Sequence, residues 1–448
     1  MKPAACLAGA VLLLAAVATA AQPRPRIVGG SATGDFAPVG ALLIYAAPND
    51  PRIVSLCSGT LVGCRSFLTA AHCVCPTTSD DAASCLRQGL ADPRELDVFF
   101  PHAGRVAVES VFLHPDYVFT AGGDLALLRL DAAPAWIDPA AVNRAGRPAP
   151  GSDGVIVGFG NTGGPEFAQS DFGIKRFGPV RTSACASGIE ADTHLCWEYL
   201  DTGANTCGGD SGGPLFIDAG GGVSVAGITS GGQNPTCLAP DAGFDTDLFV
   251  HGDWLEAAIA ASEDGLPCPA GPRLGDPGIA ADTVAGTLRR SETTRVVPFT
   301  VPPGTATLLV TLNGALYNPD DAITVNDFGL AVARAGGGAP VCRDPTDGPF
   351  DACVIDAPAP GGWEARIQRL RGFGEFQLTV TTAARVPCAG DCNDDGAVDE
   401  DELALAVAAL FDAGLVPACE TLDGDGDGVV NAGELVRAVR NAAGECSP

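Results

Sequence analysis

The 448 residues exceed what one hydrophobic core usually serves, and an apolar fraction of 46% is ample for packed interiors, so wholesale disorder is excluded and two or three domains are expected. A formal charge of −28 repels phosphates and excludes nucleic acid as a partner. That charge is concentrated: from Cys388 to Pro448, 14 acidic residues stand against two arginines, a density that calls for cations.

The chain opens on Met1-Lys2, an apolar run from Ala4 to Ala18 and the small-residue stretch Ala18-Thr19-Ala20-Ala21. One early cation, a short apolar core and an A-x-A ending make residues 1–21 a secretory signal peptide, which places the mature protein outside the cell, either directly or by way of a periplasm. No later stretch reaches the roughly 20 apolar residues of a spanning helix, so no membrane span is expected. Of 17 cysteines, Cys6 leaves with the signal. The even number left in an exported chain argues for disulfides over free thiols.

Residues 22–26 are polar and proline-bearing, too short to fold alone. From Ile27 to about Ser262, short β-branched runs such as Ala41–Tyr45, Val106–Leu113 and Val223–Ile228 are punctuated by Gly and Pro, the rhythm of an all-β barrel or sandwich. Asp253–Ser262 has a helical pattern that would close this unit. The Pro/Gly-rich stretch Gly265–Gly278 marks a linker, assigned to residues 263–280. Residues 281–385 are again β-like, with Val296–Val301, Ala306–Leu312, Phe328–Ala333, Trp363–Ile367 and Phe376–Thr381 as expected strands. Residues 386–448 switch to acidic loops followed by helical patterns, Glu402–Leu410 and Glu434–Asn441. The fold class expected is therefore mainly β: a first all-β unit over 27–262, a second small β-sandwich and a small helical module.

Four motifs fall in one order along the first unit: Arg26-Ile27-Val28-Gly29-Gly30, Thr69-Ala70-Ala71-His72-Cys73, Asp124-Leu125-Ala126-Leu127-Leu128 and Gly209-Asp210-Ser211-Gly212-Gly213-Pro214. A serine hydroxyl is a poor nucleophile until a base takes its proton. His72 suits that role because its ordinary pKa lies near neutrality, and a buried carboxylate at Asp124 would fix the imidazole tautomer and stabilise the imidazolium as it forms. The glycines around Ser211 let the backbone turn so that the N–H groups of Gly209 and Ser211 aim at a developing oxyanion; losing one such donor typically costs about 10²–10³ in rate. With these four motifs, residues 27 to about 262 resemble the chymotrypsin-type serine proteases.

The resemblance implies a two-barrel fold, hydrolysis of peptide bonds in protein or peptide substrates through an acyl-enzyme, and no cofactor for catalysis. It implies disulfides Cys57–Cys73, Cys185–Cys196 and Cys207–Cys237, and leaves Cys64, Cys75, Cys85 and Cys268 open, Cys75–Cys85 being the most local pairing. It also implies a zymogen: cleavage after Arg26 removes the propeptide 22–26, and the new ammonium of Ile27 pairs with Asp210, a carboxylate that would be costly to bury without a cation. The specificity pocket would be formed by Asn205, Ser230, Gly232, Gly243 and Asp245. Asn205 is neutral where relatives selective for basic side chains carry an aspartate, Gly232 and Gly243 leave the walls open, and Asp245 would favour basic side chains if its carboxylate reaches the floor. Gly231 stands where relatives often carry tryptophan. Retention of His72, Asp124, Ser211, Gly209 and Asp210 argues against a binding protein built on an inactive protease fold.

The stretch from about Asp282 to Thr382 resembles the bacterial pre-peptidase C-terminal domain, on the residues Val296-Val297-Pro298-Phe299-Thr300-Val301-Pro302-Pro303-Gly304, Gly361-Gly362-Trp363-Glu364-Ala365-Arg366 and Gly372–Thr381; Cys342 and Cys353 would bridge a hairpin there. The last module carries two twelve-residue patterns with oxygen donors at positions 1, 3, 5 and 9, glycine at 6 and glutamate at 12. The first uses Asp391, Asn393, Asp395, Asp399 and Glu402, with the Ala397 carbonyl; the second uses Asp423, Asp425, Asp427, Asn431 and Glu434, with the Val429 carbonyl. This is EF-hand spacing for structural calcium, the glycine permitting the sharp turn and the glutamate binding through both oxygens. The paired loop–helix units resemble a dockerin, which implies a scaffold or cell-surface partner. Cys388, Cys392, Cys419 and Cys446 allow three pairings.

Overall fold

The computed structural model describes residues 27–48, 50–163, 172–264, 268, 271–317, 324–384, 388–393, 397–423 and 428–442. Residues 1–26, expected as signal and propeptide and including Arg26, and Asp395, Asp425, Asp427 and Cys446 lie outside them.

After a short β1 (Ser31–Ala32), six antiparallel strands form a closed barrel in the order β2-β3-β4-β7-β6-β5: β2 (Val39–Tyr45), β3 (Ile53–Leu61), β4 (Ser66–Thr69), β5 (Leu96–Phe100), β6 (Gly104–Leu113) and β7 (Ala126–Leu130). Its core is built of aliphatic and aromatic side chains, among them Leu42, Phe67, Leu68, Val98, Phe100, Leu125 and Leu127. A second set pairs in the order β9-β10-β13-β12-β11-β8 and closes through β8 on β9, with β1 added at β9: β8 (Asp153–Gly158), β9 (Arg176–Ser183), β10 (His194–Glu198), β11 (Pro214–Asp218), β12 (Val223–Gly232) and β13 (Ala242–Asp247). Three helices accompany the barrels: α1 (Ala82–Gln88), α2 (Tyr199–Thr202) and α3 (Gly252–Ser262). The expected strands of this unit and the closing helix fall inside β2, β6, β12 and α3.

Two four-stranded antiparallel sheets follow, one ordered β14-β21-β16-β19 and the other β15-β20-β17-β18. Their strands are β14 (Ile279–Leu288), β15 (Thr294–Val301), β16 (Thr305–Gly314), β17 (Asp327–Arg334), β18 (Cys342–Arg343), β19 (Phe350–Asp356), β20 (Gly361–Arg371) and β21 (Gly374–Ala384). Leu308, Val310 and Leu378 of one sheet and Phe328, Trp363 and Ile367 of the other share one apolar core. β14 begins at Ile279, inside the stretch expected as linker.

The last helices, α4 (Glu400–Ala409) and α5 (Ala432–Arg440), each start two residues before the expected position. The reason is capping: Asp399 and Asn431, at position 9 of each acidic loop, accept from the backbone of Glu402 and Glu434, whose side chains return the bond. The loop residue and the helix cap are one and the same.

Among the described residues the disulfides are Cys57–Cys73, Cys64–Cys268, Cys75–Cys85, Cys185–Cys196, Cys207–Cys237, Cys342–Cys353 and Cys392–Cys419. No described helix is long and apolar enough to cross a membrane.

Candidate active site

His72 sits in a single 3-10 turn, Ala71–Cys73, immediately after β4, and the Cys57–Cys73 disulfide ties that turn to β3. Asp124 lies two residues ahead of β7 and is wholly buried. Its Oδ1 accepts the His72 backbone N–H at 3.0 Å, and its Oδ2 lies 2.8 Å from His72 Nδ1. Ser230, near the end of β12, crosses from the second barrel to donate to the same Oδ2 at 2.6 Å. A carboxylate acceptor at Nδ1 puts the ring proton there and leaves Nε2 as the basic nitrogen of the neutral imidazole. The His72 side chain keeps 27% of its surface exposed whereas Asp124 keeps none, so the base meets the cleft and the acid does not.

The electrostatics follow from that arrangement. Burial works against a charged His72, but the adjacent Asp124 carboxylate outweighs it and holds the imidazole above its ordinary value. Burial alone would raise Asp124; the imidazole beside it and the bonds from His72 and Ser230 hold it below the usual carboxylate range.

Ser211 follows a tight turn in which Asp210 N–H donates to Cys207 O and Gly213 N–H to Asp210 O. The turn is stitched to both barrels: Ser58 of β3 donates its N–H to Ser211 O and its Oγ to Gly209 O at 2.8 Å, and Gly212 N–H donates to Thr229 O of β12 at 2.8 Å. Gly209 has φ +90, a conformation side chains resist. Asp210 is buried and accepts from Gly160 N–H at 2.8 Å and Cys207 N–H at 2.9 Å. Room for it exists because Gly160 lacks a side chain: a Cβ there would stand 2.4 Å from the Asp210 carboxyl carbon. Ile27 is 1% exposed, in a core cluster with Ile156, Leu195, Trp197 and Leu215, while Val28 bridges Asn205.

A cleft of about 450 Å³ brings His72, Ser211, Thr206, Gly208, Ser230 and Gly232 together. Phe119 meets His72 edge-on with ring centroids 5.8 Å apart. Asn205, Gly243 and Asp245 are not among the lining residues. Asn205 is buried in a relay behind the cleft, accepting from Trp197 Nε1 at 3.1 Å and donating to Asp241 Oδ2 at 2.6 Å. Gly243 lets Trp197 and Asn205 approach; its absent Cβ would stand 2.4 Å from the indole. Asp245 is buried beside Gly227, and burial pushes its carboxyl well above the ordinary range. Sequence reasoning missed Asp241, whose Oδ1 accepts from Gln233 and Asn234 N–H and whose Oδ2 would be 3.3 Å from a Cβ on Gly232. The Ser230 bond to Asp124 also joins residues 106 apart, with no local signal.

In the C-terminal segment Asp391, Glu402 and Glu434 are buried at 2%, 7% and 0% exposure. Glu402 Oε1 accepts from Cys392 and Asn393 N–H, and Asp423 Oδ2 from Gly428 N–H. Ala397 and Val429 are exposed. Among the described residues no group of three or more His, Cys, Asp or Glu side chains is placed to hold a metal ion.

Residues 39–255 match the family model described as Trypsin. Trypsin CFT-1 of Choristoneura fumiferana is 30% identical over 270 residues, 56% of this chain and 98% of that one. The thrombin-like enzyme elegaxobin-1 of Protobothrops elegans is 30% identical over 48% of this chain and 89% of its own length. The alpha- and beta-fibrinogenase OhS1 of Ophiophagus hannah is 28% identical over 58% and 96%. The chain belongs to the trypsin family of serine proteases. It is a trypsin-like serine endopeptidase.

Proposed function

We propose that peptide bonds are cut by Ser211, with His72 as general base and then general acid and Asp124 as the fixed anion behind it. Ser211 Oγ attacks the scissile carbonyl carbon while His72 Nε2 takes the hydroxyl proton. The oxygen that gains the charge is received by the N–H groups of Gly209 and Ser211. Collapse of the tetrahedral intermediate breaks the C–N bond, and His72 gives its proton to the leaving amine. Water, deprotonated by the same nitrogen, then hydrolyses the acyl-enzyme and frees Ser211. The observation that carries this reading is the wholly buried Asp124 carboxylate, which takes three hydrogen bonds, two of them from His72.

The enzyme is made as a secreted zymogen, with residues 1–21 as signal and 22–26 as propeptide. Cleavage after Arg26 frees the Ile27 ammonium for Asp210; the buried Ile27 side chain and the buried Asp210 in the same barrel support this. The substrate's main chain runs along 229–232, with Ser230 and Gly232 lining the pocket and Asn205, Gly243 and Asp245 shaping it from behind. The sheets over 281–385 form a pre-peptidase-like sandwich. In the dockerin-like C-terminal module, Asp391, Asn393, Asp395, Asp399 and Glu402, and Asp423, Asp425, Asp427, Asn431 and Glu434, with the Ala397 and Val429 carbonyls, would hold two structural calcium ions; the buried Asp391, Glu402 and Glu434 support this donor set. Such ions neutralise the acidic loops and take no part in hydrolysis, and the module would engage a scaffold or surface partner. The test is a fluorophosphonate probe followed by peptide mapping. One adduct per chain on Ser211, formed only after cleavage at Arg26, is expected; no adduct on the Ile27-started form would refute the assignment.

A further inference from the structure

The Gly208-Gly209 turn is tied by backbone bonds, Ser58 Oγ to Gly209 O and Asn161 N–H to Gly208 O, but its glycines have no side chains to pack and the widest backbone freedom. One face of it is covered by a single ring. A Cβ on Gly209 would stand 2.4 Å from Phe172 Cδ1, and one on Gly208 would stand 3.5 Å from Phe172 Cζ. The ring of Phe172 therefore lies directly against the peptide that presents the Gly209 N–H.

Phe172 is in turn held by the sandwich. Leu316 N–H donates to Phe172 O at 2.8 Å, and the Tyr317 ring meets the Phe172 ring at 5.4 Å and 62°. The residues that follow are bonded in the same direction. Asn313 Nδ2 donates to Gly173 O at 2.7 Å, and Gln377 Oε1 accepts from Lys175 N–H at 2.7 Å. Gln377 Nε2 donates to Lys175 O at 3.1 Å. Arg176, 1% exposed, is paired with Glu375 at 2.7 Å. Leu316 and Phe350 of the sandwich also join one apolar cluster with Val39, Leu43, Phe99 and Phe159 of the barrels. Phe172, Gly173, Lys175 and Arg176 of this strip are thus each bonded to the sandwich, and its first ring rests on the oxyanion turn.

We propose that the sandwich is a built-in positioning element of the active site: through Leu316 and Tyr317 it fixes Phe172 against Gly208 and Gly209 and so holds the Gly209 N–H where the oxyanion forms. This rests on the mechanism proposed above. Phe172 and Tyr317 touch no reacting atom and act through the turn, supporting it as outer residues support a preorganised site. Because a misplacement of about 1 Å can cost up to about 10²-fold in rate, loosening this ring stack acts on kcat far more than on substrate binding.

The test uses the full chain, started at Ile27, with a peptide amide substrate. In Tyr317→Ala, a change at a half-buried position, kcat should fall about tenfold or more with KM within about twofold and the barrels' melting temperature unchanged. Tyr317→Phe, which keeps the ring, should restore kcat. Phe172→Leu gives the same expectation from the other side of the stack if Tyr317→Ala does not fold. Unchanged kcat in either folded variant, or a loss carried by KM alone, overturns the inference while leaving the mechanism standing. Hydrolysis that survives Ser211→Ala in a chain with Phe172 and Tyr317 intact overturns the mechanism instead.

Discussion

On its cleft side the second barrel offers Ser211 and Ser230 to His72 and Asp124 of the first. On its sandwich-facing side it offers Gly173, Lys175 and Arg176, whose partners Asn313, Gln377 and Glu375 lie 140, 202 and 199 residues away. Both surfaces obey one rule, that buried polar groups must be partnered. They differ in what the rule leaves open. Proton transfer demands particular residue types at fixed geometry, so the cleft allows few sequences. A docking surface demands only complementary donors, acceptors and shape, which many sequences supply. Chemistry marks the chain; packing scarcely does.

Substitutions can break that contrast or sharpen it. Asp124→Asn keeps the shape of the cleft but reverses the tautomer preference of His72, and kcat should fall on the order of 10⁴-fold. In the unmodified enzyme the Asp124 charge holds His72 above its ordinary value. Only the neutral imidazole accepts a proton, so activity rises with pH through an acid limb above about 6.5. The residual activity of Asp124→Asn should show that limb shifted to lower pH, and an unshifted limb would deny the pairing its electrostatic role.

Away from the Phe172 ring, the sandwich-facing side predicts at Lys175 a stability effect in place of a rate effect. Lys175 is wholly buried, and burial lowers its ammonium to about 7. Between that value and its unfolded value near 10.4 the unfolded chain binds one more proton than the folded one, so stability rises with pH across that window and is lowest below it. Lys175→Met removes the penalty, and denaturant unfolding at pH 6 should show a gain of about 2–4 kcal/mol that fades as pH approaches about 10. A loss at pH 6 would mean that the buried amine stabilises. Ser230→Ala removes one bond to Asp124 and should lower kcat about tenfold, since a hydrogen bond to a charged group contributes about 1.5–3 kcal/mol. The smallest effect on hydrolysis belongs to the acidic loops. Chelation should change kcat by less than about twofold while the helical signal of α4 and α5 is lost at lower temperature, as expected when an ion bound only by the folded state is withdrawn. An equal loss of activity would tie the loops to the cleft.

Much of the first unit can be read from local runs. Thr69–Cys73 and Gly209–Pro214 name their own geometry, and β-branched runs punctuated by Gly and Pro locate the strands from Ala41 and Val106. The helix α1 is not readable in this way. Its capping box, Asp81 with Ser84, is plain only once the Cys75–Cys85 disulfide is seen to close it. Cys64–Cys268 spans 204 residues, and no local pattern announces a pairing of that range. Asp241 escaped notice because its role is to receive Asn205 and two backbone N–H groups, a task that leaves no motif.

Kinetics of Ser211→Ala, His72→Ala and the double variant, on one peptide amide substrate with the Ile27-started chain, test the proton relay most directly. Each single change should remove on the order of 10⁶ in kcat, and the pair should lose no more than either alone, because the two groups act as one unit. Losses that multiply, or a His72→Ala enzyme close to wild type, would contradict it.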